Sequence, residues 1–153
     1  CQVLQANIRG VVASTNPVPR DEGVSSRMRQ QRTHLTTPEV LLADALRRRH
    51  FVVDMHRADL PGRPDIVLPR RGVAIFVHGC FWHGCPWHFR TPRHNRRWWT
   101  QKIANNKIRD KRKAAALRRR GWSVLTVWEH VNPEVAAERI RIRVQGNASI
   151  HRD

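Results

Sequence analysis

Acid is scarce in this chain of 153 residues: 12 Asp and Glu stand against 29 Lys and Arg, a formal net charge of +17. So much like charge repels itself in a compact state unless a polyanion shares the space, and nucleic acid is the obvious one. The plain alternative, arginine replacing lysine on a solvated face, explains the runs Arg47-Arg48-Arg49 and Arg118-Arg119-Arg120 but not the shortage of acid. Cysteine is sparse as well. There are 3, Cys1 is remote from the others, and Cys80 and Cys85 sit among histidines, which argues against a disulfide scaffold. No apolar run approaches the ~20 residues that cross a bilayer. The N-terminus lacks a secretory apolar segment, so the chain reads as cytoplasmic and, given its charge, nucleoid-associated.

What is present suits a folded domain. Hydrophobic residues make up 40% and charged residues 27%, which excludes a disordered tail or a fibre. The length is enough for one domain with a real core, and no internal repeat is visible. Residues 1–22 have no sustained period and read as a flexible tail, leaving residues 23–153 as a single domain. "VSSRMRQQR" is a short basic helix candidate carrying Met28. "LTTPEVLLADALRRRH" reads as a helix capped by Thr37, with Pro38 at its first position and a buried stripe of Leu41, Leu42, Ala45 and Leu46. "FVVDM", "PDIVLP" and "GVAIFVHG" read as strands, the last two joined by a Pro-Arg-Arg-Gly turn. Residues 80–97 read as irregular. A long helix then runs to Gly121, "WSVLTVW" follows as a buried strand, and "PEVAAERIRIRV" closes the order α-β-β-β-loop-α-β-α, a sheet flanked by helices.

The chemistry concentrates in "HGCFWHGCPWHF", residues 78–89. Cys80, Cys85 and His88 offer two thiolates and an imidazole within nine residues, and Zn²⁺ in a structural site wants four such donors. The fourth must come from elsewhere, and His130, just past the strand 122–128, is the candidate. Free buried thiols beside surface histidines are the bland alternative. Asp65, held after Pro-Gly-Arg-Pro at the start of a strand, suits a hard cation such as Mg²⁺. Alone it reads more readily as a strand-entry residue bonding backbone N–H groups. The neighbouring strand strengthens the metal reading, because the Val77 carbonyl and the His78 ring fall close to Asp65, and a neutral His83 could take a proton from attacking water. Phe81-Trp82 and Trp98-Trp99 lie in basic, irregular surroundings where rings stack on bases or wedge between them, although Trp98, Trp122 and Trp128 read as core packing.

Taken together, "LPGRPD" at 60–65, "FVHGCFWHGCPWH" at 76–88, "WWTQKIANNKIRD" at 98–110 and "RRGWSVLTVWEH" at 119–130 resemble the very-short-patch-repair (Vsr) mismatch endonucleases, over residues ~25 to ~131. The resemblance implies a restriction-endonuclease-like α/β fold, with a mixed central sheet flanked by helices and a structural zinc site. It implies a Mg²⁺-dependent enzyme that nicks double-stranded DNA 5′ of the thymine in a T:G mismatch, the lesion left when 5-methylcytosine deaminates. Asp65 matches the metal-binding aspartate, with the Val77 carbonyl as a further ligand. His83 matches the general base, His78 the histidine at the scissile phosphate, and Glu39 the glutamate that holds water on the metal. Phe81, Trp82 and Trp99 match the intercalating rings, and Met28 the residue entering from the opposite groove. Lys102 and Asn106 match positions facing the mismatched pair. Cys80, Cys85, His88 and His130 match the zinc ligands.

Three departures stand out. Val77 replaces a threonine, which leaves the backbone carbonyl unaffected. Zinc ligand identities vary in the family, so another nearby histidine could displace His88. The strand Ala74-Ile75-Phe76-Val77-His78 lacks the second acid and the lysine that restriction enzymes place two residues apart, which requires a histidine-based mechanism. The rival function is a non-catalytic zinc-containing DNA- or RNA-binding protein; it has no need of Glu39, Asp65, His78 and His83 converging. A single mismatch has no dyad, so a monomer is expected.

Overall fold

The computed structural model describes residues 36–148; Met28 and the expected tail over residues 1–22 lie outside them. Helix α1 spans Thr37–Arg48. Its N-cap is Thr36 rather than the expected Thr37, so Pro38 occupies the second helical position. The buried stripe is Leu42, Ala43, Ala45 and Leu46, whereas Leu41 is 48% exposed. The correction follows from rotation about the helix axis: with Glu39 buried as well, Ala43 lies closer than Leu41 to the mean direction of the buried residues 39, 42, 45 and 46.

Four short strands form one mixed sheet in the order β1-β2-β3-β4. They are β1 (Asp54–Met55), β2 (Ile66–Leu68), β3 (Val73–His78) and β4 (Ser123–Trp128). β1 is much shorter than "FVVDM" suggested. The expected turn between β2 and β3 is a 3-10 turn over Pro69–Arg71, closed by left-handed Gly72. β1–β2 and β2–β3 pair antiparallel, while β3 and β4 pair parallel over six rungs from Val73↔Ser123 to His78↔Trp128. Helix α2 (Arg96–Arg119) makes the crossover between those parallel strands, and α3 (Pro133–Ala148) follows β4.

Alternation sorts the core onto two faces. Ile66, Leu68, Val73 and Ile75 pack with Leu42 and Leu46 of α1 and Ala137 and Ile140 of α3. Val67, Ala74 and Phe76 pack the other way with Leu60, Leu117 of α2, and Trp122. β4 is not the buried strand the sequence suggested. It forms the sheet edge, Ser123 and Thr126 are exposed, and the rest is half-buried, because an apolar run does not reveal which flank carries a neighbour. Arg48 and Arg49 clamp Glu134, and Arg49 also reaches Glu138 at 3.3 Å, tying α1 to α3. Among the described residues, no helix is long and apolar enough to cross a membrane.

The irregular segment after β3 is fixed by contact with the middle of α2. Gly84 has φ +61°, and a Cβ there would lie 2.7 Å from Ile103 Cγ2 and 2.8 Å from Lys107 Cε. Gly84→Ala is therefore expected to destabilise the fold by about 1–3 kcal/mol, through backbone strain and overpacking together. Chemical denaturation of the two proteins measures this; an unchanged midpoint would show that the loop and helix do not meet as described.

Candidate functional site

Three groups of side chains gather where β3 ends and the loop begins. The first is Glu39, His56 and Asp65, each offering one donor atom within 4.8 Å of the others. Glu39 is 7% exposed, at the start of α1, and Thr36 Oγ1 donates to its Oε1 at 2.7 Å. His56 Nε2 lies 3.1 Å from Glu39 Oε2. Asp65 continues the β2–β3 register one step past Ile66↔Ile75, and its Oδ2 accepts the Val77 N–H at 2.8 Å. Burial raises the Asp65 carboxyl to about 6; the Val77 hydrogen bond opposes this and the neighbouring Glu39 charge adds to it. Two carboxyl groups and an imidazole in one small space make a donor set fitted to a divalent cation, whose charge would relieve the repulsion between the acids.

The second group is His78, His83 and Asp110, again within 4.8 Å. The two imidazoles stack at 3.9 Å between centroids with 11° between planes. His83 Nδ1 lies 2.5 Å from Asp110 Oδ2. Burial first, and then the facing His83, lower His78 to about 4, so His78 is neutral near pH 7. Burial works against the Asp110 carboxylate, but its hydrogen bond to His83 and the charges of His83, His78 and Lys113 together lower it. Sequence reasoning missed both Asp110 and His56. Asp110 stands one turn after Asn106, whose Nδ2 donates to the Trp82 carbonyl at 2.8 Å, so consecutive turns of α2 receive consecutive loop residues. That spacing was the available signal. His56 gave none, because its placement depends on a left-handed backbone (φ 62° at His50 and 51° at His56 mark the two bends around β1).

The third group is Cys80, Cys85, His88 and His130. Cys80 Sγ lies 3.1 Å from His130 Nδ1 and 3.7 Å from His88 Nδ1; Cys85 Sγ lies 3.9 and 3.7 Å from the same atoms. A tetrahedron with Zn–S ~2.3 Å and Zn–N ~2.05 Å has S···N edges of ~3.6 Å, so the donors fit zinc in kind and spacing. Without a cation, burial and the neighbouring Cys85 push the Cys80 thiol up to about 11. Glu129 Oε1 accepts the Cys80 N–H at 2.6 Å and fixes the first turn of the loop.

The rings selected above also meet. Phe81 lies 5.2 Å from Trp82 and 5.0 Å from Trp99, with Trp82–Trp99 at 6.0 Å, all half-buried. Lys102 Nζ sits 5.8 Å from the Trp98 ring, while Asn106 is buried and its Oδ1 accepts from Arg109 at 3.0 Å. Trp98, Trp122 and Trp128 are half-buried rather than fully enclosed.

The sequence profile described as "DNA mismatch endonuclease Vsr" matches residues 20–89. A type II nicking enzyme of Xanthomonas oryzae pv. oryzae is 41% identical over 117 residues, covering 76% of this chain and 86% of that protein. A second type II nicking enzyme, from Lentzea aerocolonigenes, is 38% identical over 131 residues, 82% of this chain and 78% of its own length. The DNA mismatch endonuclease Vsr of Escherichia coli K12 is 40% identical over 106 residues, 69% of this chain and 68% of its own length.

Because its carboxyl sits at about 6, native Asp65 binds a proton that the unfolded chain has already released between pH ~6 and ~4. Its contribution in magnesium-free buffer thus grows more favourable as pH falls through 6 and is unfavourable above. Asp65→Asn is expected to stabilise the protein at pH 8 by on the order of 2 kcal/mol, with the gap closing near pH 4. Urea titrations of both proteins at pH 8, 6 and 4 measure it; an Asn variant less stable at pH 8 would show that the carboxylate is not strained by burial.

Proposed function

Since the chain belongs to the Vsr family of DNA mismatch endonucleases, we propose that it is a Mg²⁺-dependent enzyme that nicks duplex DNA 5′ of the thymine in a T:G mismatch, in repair of deaminated 5-methylcytosine. We read residues 23–153 as a single restriction-endonuclease-like domain acting as a monomer in the cytoplasm. The observation that carries this reading is the dyad of His83 and Asp110, with the His83 ring stacked on neutral His78, next in sequence to Val77, whose N–H bonds Asp65 of the Glu39–His56–Asp65 cluster.

The chain's own groups divide the work. Asp65, with the Val77 carbonyl, would hold the cation. Glu39, whose role in the resemblance is to hold the cation's water, stands close enough to Asp65 to be a direct ligand as well. When bound, Mg²⁺ supplies stabilisation of the charge that develops on the scissile phosphate and the leaving oxygen. With Nδ1 committed to Asp110, His83 takes the proton of the attacking water at Nε2, and the Asp110 carboxylate steadies the imidazolium that results. His78, held neutral, can donate to a phosphate oxygen without opposing the charge that appears on the ring stacked against it. Phe81, Trp82 and Trp99 enter the base stack, and Met28 would meet them from the other groove. Unstacking costs a few kcal/mol per step and less where pairing is already damaged, so the wedge favours a mismatch. Lys102 faces the mismatched pair from the same helix, where Asn106 holds the loop backbone. The surplus arginines neutralise phosphates without reading sequence. Cys80, Cys85, His88 and His130 hold zinc, which fixes the loop to the end of β4.

End-labelled duplexes differing only by one T:G pair test this, with Mg²⁺ or without. The expected result is a Mg²⁺-dependent nick 5′ of the mismatched thymine, abolished by Asp65→Ala and reduced at least ~10²-fold by His83→Ala or Asp110→Asn. Equal, mismatch-blind binding without cleavage by all four proteins would leave only a zinc-containing nucleic-acid-binding module. Cys80→Ser with Cys85→Ser is expected to release zinc stoichiometrically and lower the melting temperature by at least several degrees; unchanged zinc content would reject the four-ligand assignment.

A further inference from the structure

We infer that His56 is itself a ligand of the cation held by Glu39 and Asp65, and that its nitrogen makes this site select Mn²⁺ over Mg²⁺. The inference rests on the metal reading above and adds to it a third protein donor and a preference. Geometry brings the imidazole in. The β1–β2 ladder runs through Asp54↔Val67 and Met55↔Ile66, and the next pair is His56 and Asp65, joined by the His56 N–H to the Asp65 carbonyl at 3.1 Å. There the backbone turns left-handed, with φ 51°, and the ring reaches Glu39. This conformation is uncommon for a residue with a side chain.

The donors are spaced for coordination. The separation of 3.1 Å between His56 Nε2 and Glu39 Oε2 is close to the ~3.0 Å edge of an octahedron with bonds of ~2.1 Å. Both carboxylates are oriented from behind. Thr36 Oγ1 occupies Glu39 Oε1 at 2.7 Å, and the Val77 N–H occupies Asp65 Oδ2 at 2.8 Å. Outer hydrogen bonds of this kind keep ligating carboxylates in place. The His56 side chain is 43% exposed, so its ring lies on the open side from which an ion arrives. The identity of the donors then sets the preference. Mg²⁺ is a hard ion served by oxygen, whereas first-row transition ions gain from imidazole nitrogen.

The test uses the zinc-loaded full chain titrated with Mn²⁺ alone, followed by electron paramagnetic resonance, and then with Mg²⁺ in competition. His56→Asn and His56→Gly serve as variants, since both residues accept the left-handed backbone. For the wild-type protein the expectation is one tight Mn²⁺ site with nitrogen hyperfine coupling. In both variants the coupling is expected to vanish and Mn²⁺ affinity to fall by ~10-fold or more, with Mg²⁺ affinity changed far less. Nitrogen coupling retained in either folded variant, or an unchanged Mn²⁺ to Mg²⁺ ratio, would overturn the inference. Asp65→Asn separates the two levels. Loss of Mn²⁺ binding in that variant with no effect of His56 leaves the metal site standing and removes only its third ligand. Undiminished Mn²⁺ binding in Asp65→Asn overturns the metal site itself.

Discussion

The segment from Gly79 to Phe89 carries two aromatic rings in edge contact, the His83 imidazole and two thiols with no strand or helix of its own, and the rest of the site depends on how its backbone is pinned. Short internal bonds fold it, His83 N–H to the Gly79 carbonyl at 3.2 Å and Cys85 N–H to the Cys80 carbonyl at 2.9 Å. Glu129 anchors its start, Asn106 anchors its middle, and Gly84 lets it settle against Ile103. Buried Cys85 and the adjacent histidines close its far end. These pins, with the ring contacts of Phe81, Trp82 and Phe89, hold the His83 imidazole against Asp110.

The electrostatics follow from the same crowding. In a chain carrying +17, the site is a pocket where charge of either sign is disfavoured. Asp65 leans toward protonation and His78 toward neutrality, whereas Asp110 is favoured as an anion because His83 and its cationic neighbours support it. Lys113 acts on all three of these groups, and its Nζ stands 5.9 Å from the Phe76 ring, opposite Asp65 across the β2–β3 ladder. The pocket is thus prepared for charges that substrate and cation bring with them.

Much of this was legible in the sequence, and the limits have physical causes. Period-two and helical patterns located every described strand and helix, since burial on one face leaves its mark locally. The structure brings Cys80, Cys85, His88 and His130 together, the four residues the sequence had singled out because cysteine and histidine seldom cluster without cause. What escaped depends on tertiary neighbours. The exposure of β4 is decided by the absence of a fifth described strand beside it, and the Leu41 to Ala43 exchange by which side of α1 meets the core. Asp110 and His56 escaped because a lone aspartate in a basic helix and a lone histidine at a bend look like solvated surface until their partners are in place.

The pins of the loop join points far apart in the chain: Cys80 with His130 across 50 positions, and His83 with Asp110 across 27. No contiguous stretch of sequence therefore contains a working half of the site, and a graft of the central dozen residues onto another sheet would arrive without its supports. Heritable change meets the same constraint. A new residue at one end strands a thiol or a carboxylate at the other, so replacements at the two ends of a pin are energetically coupled rather than additive.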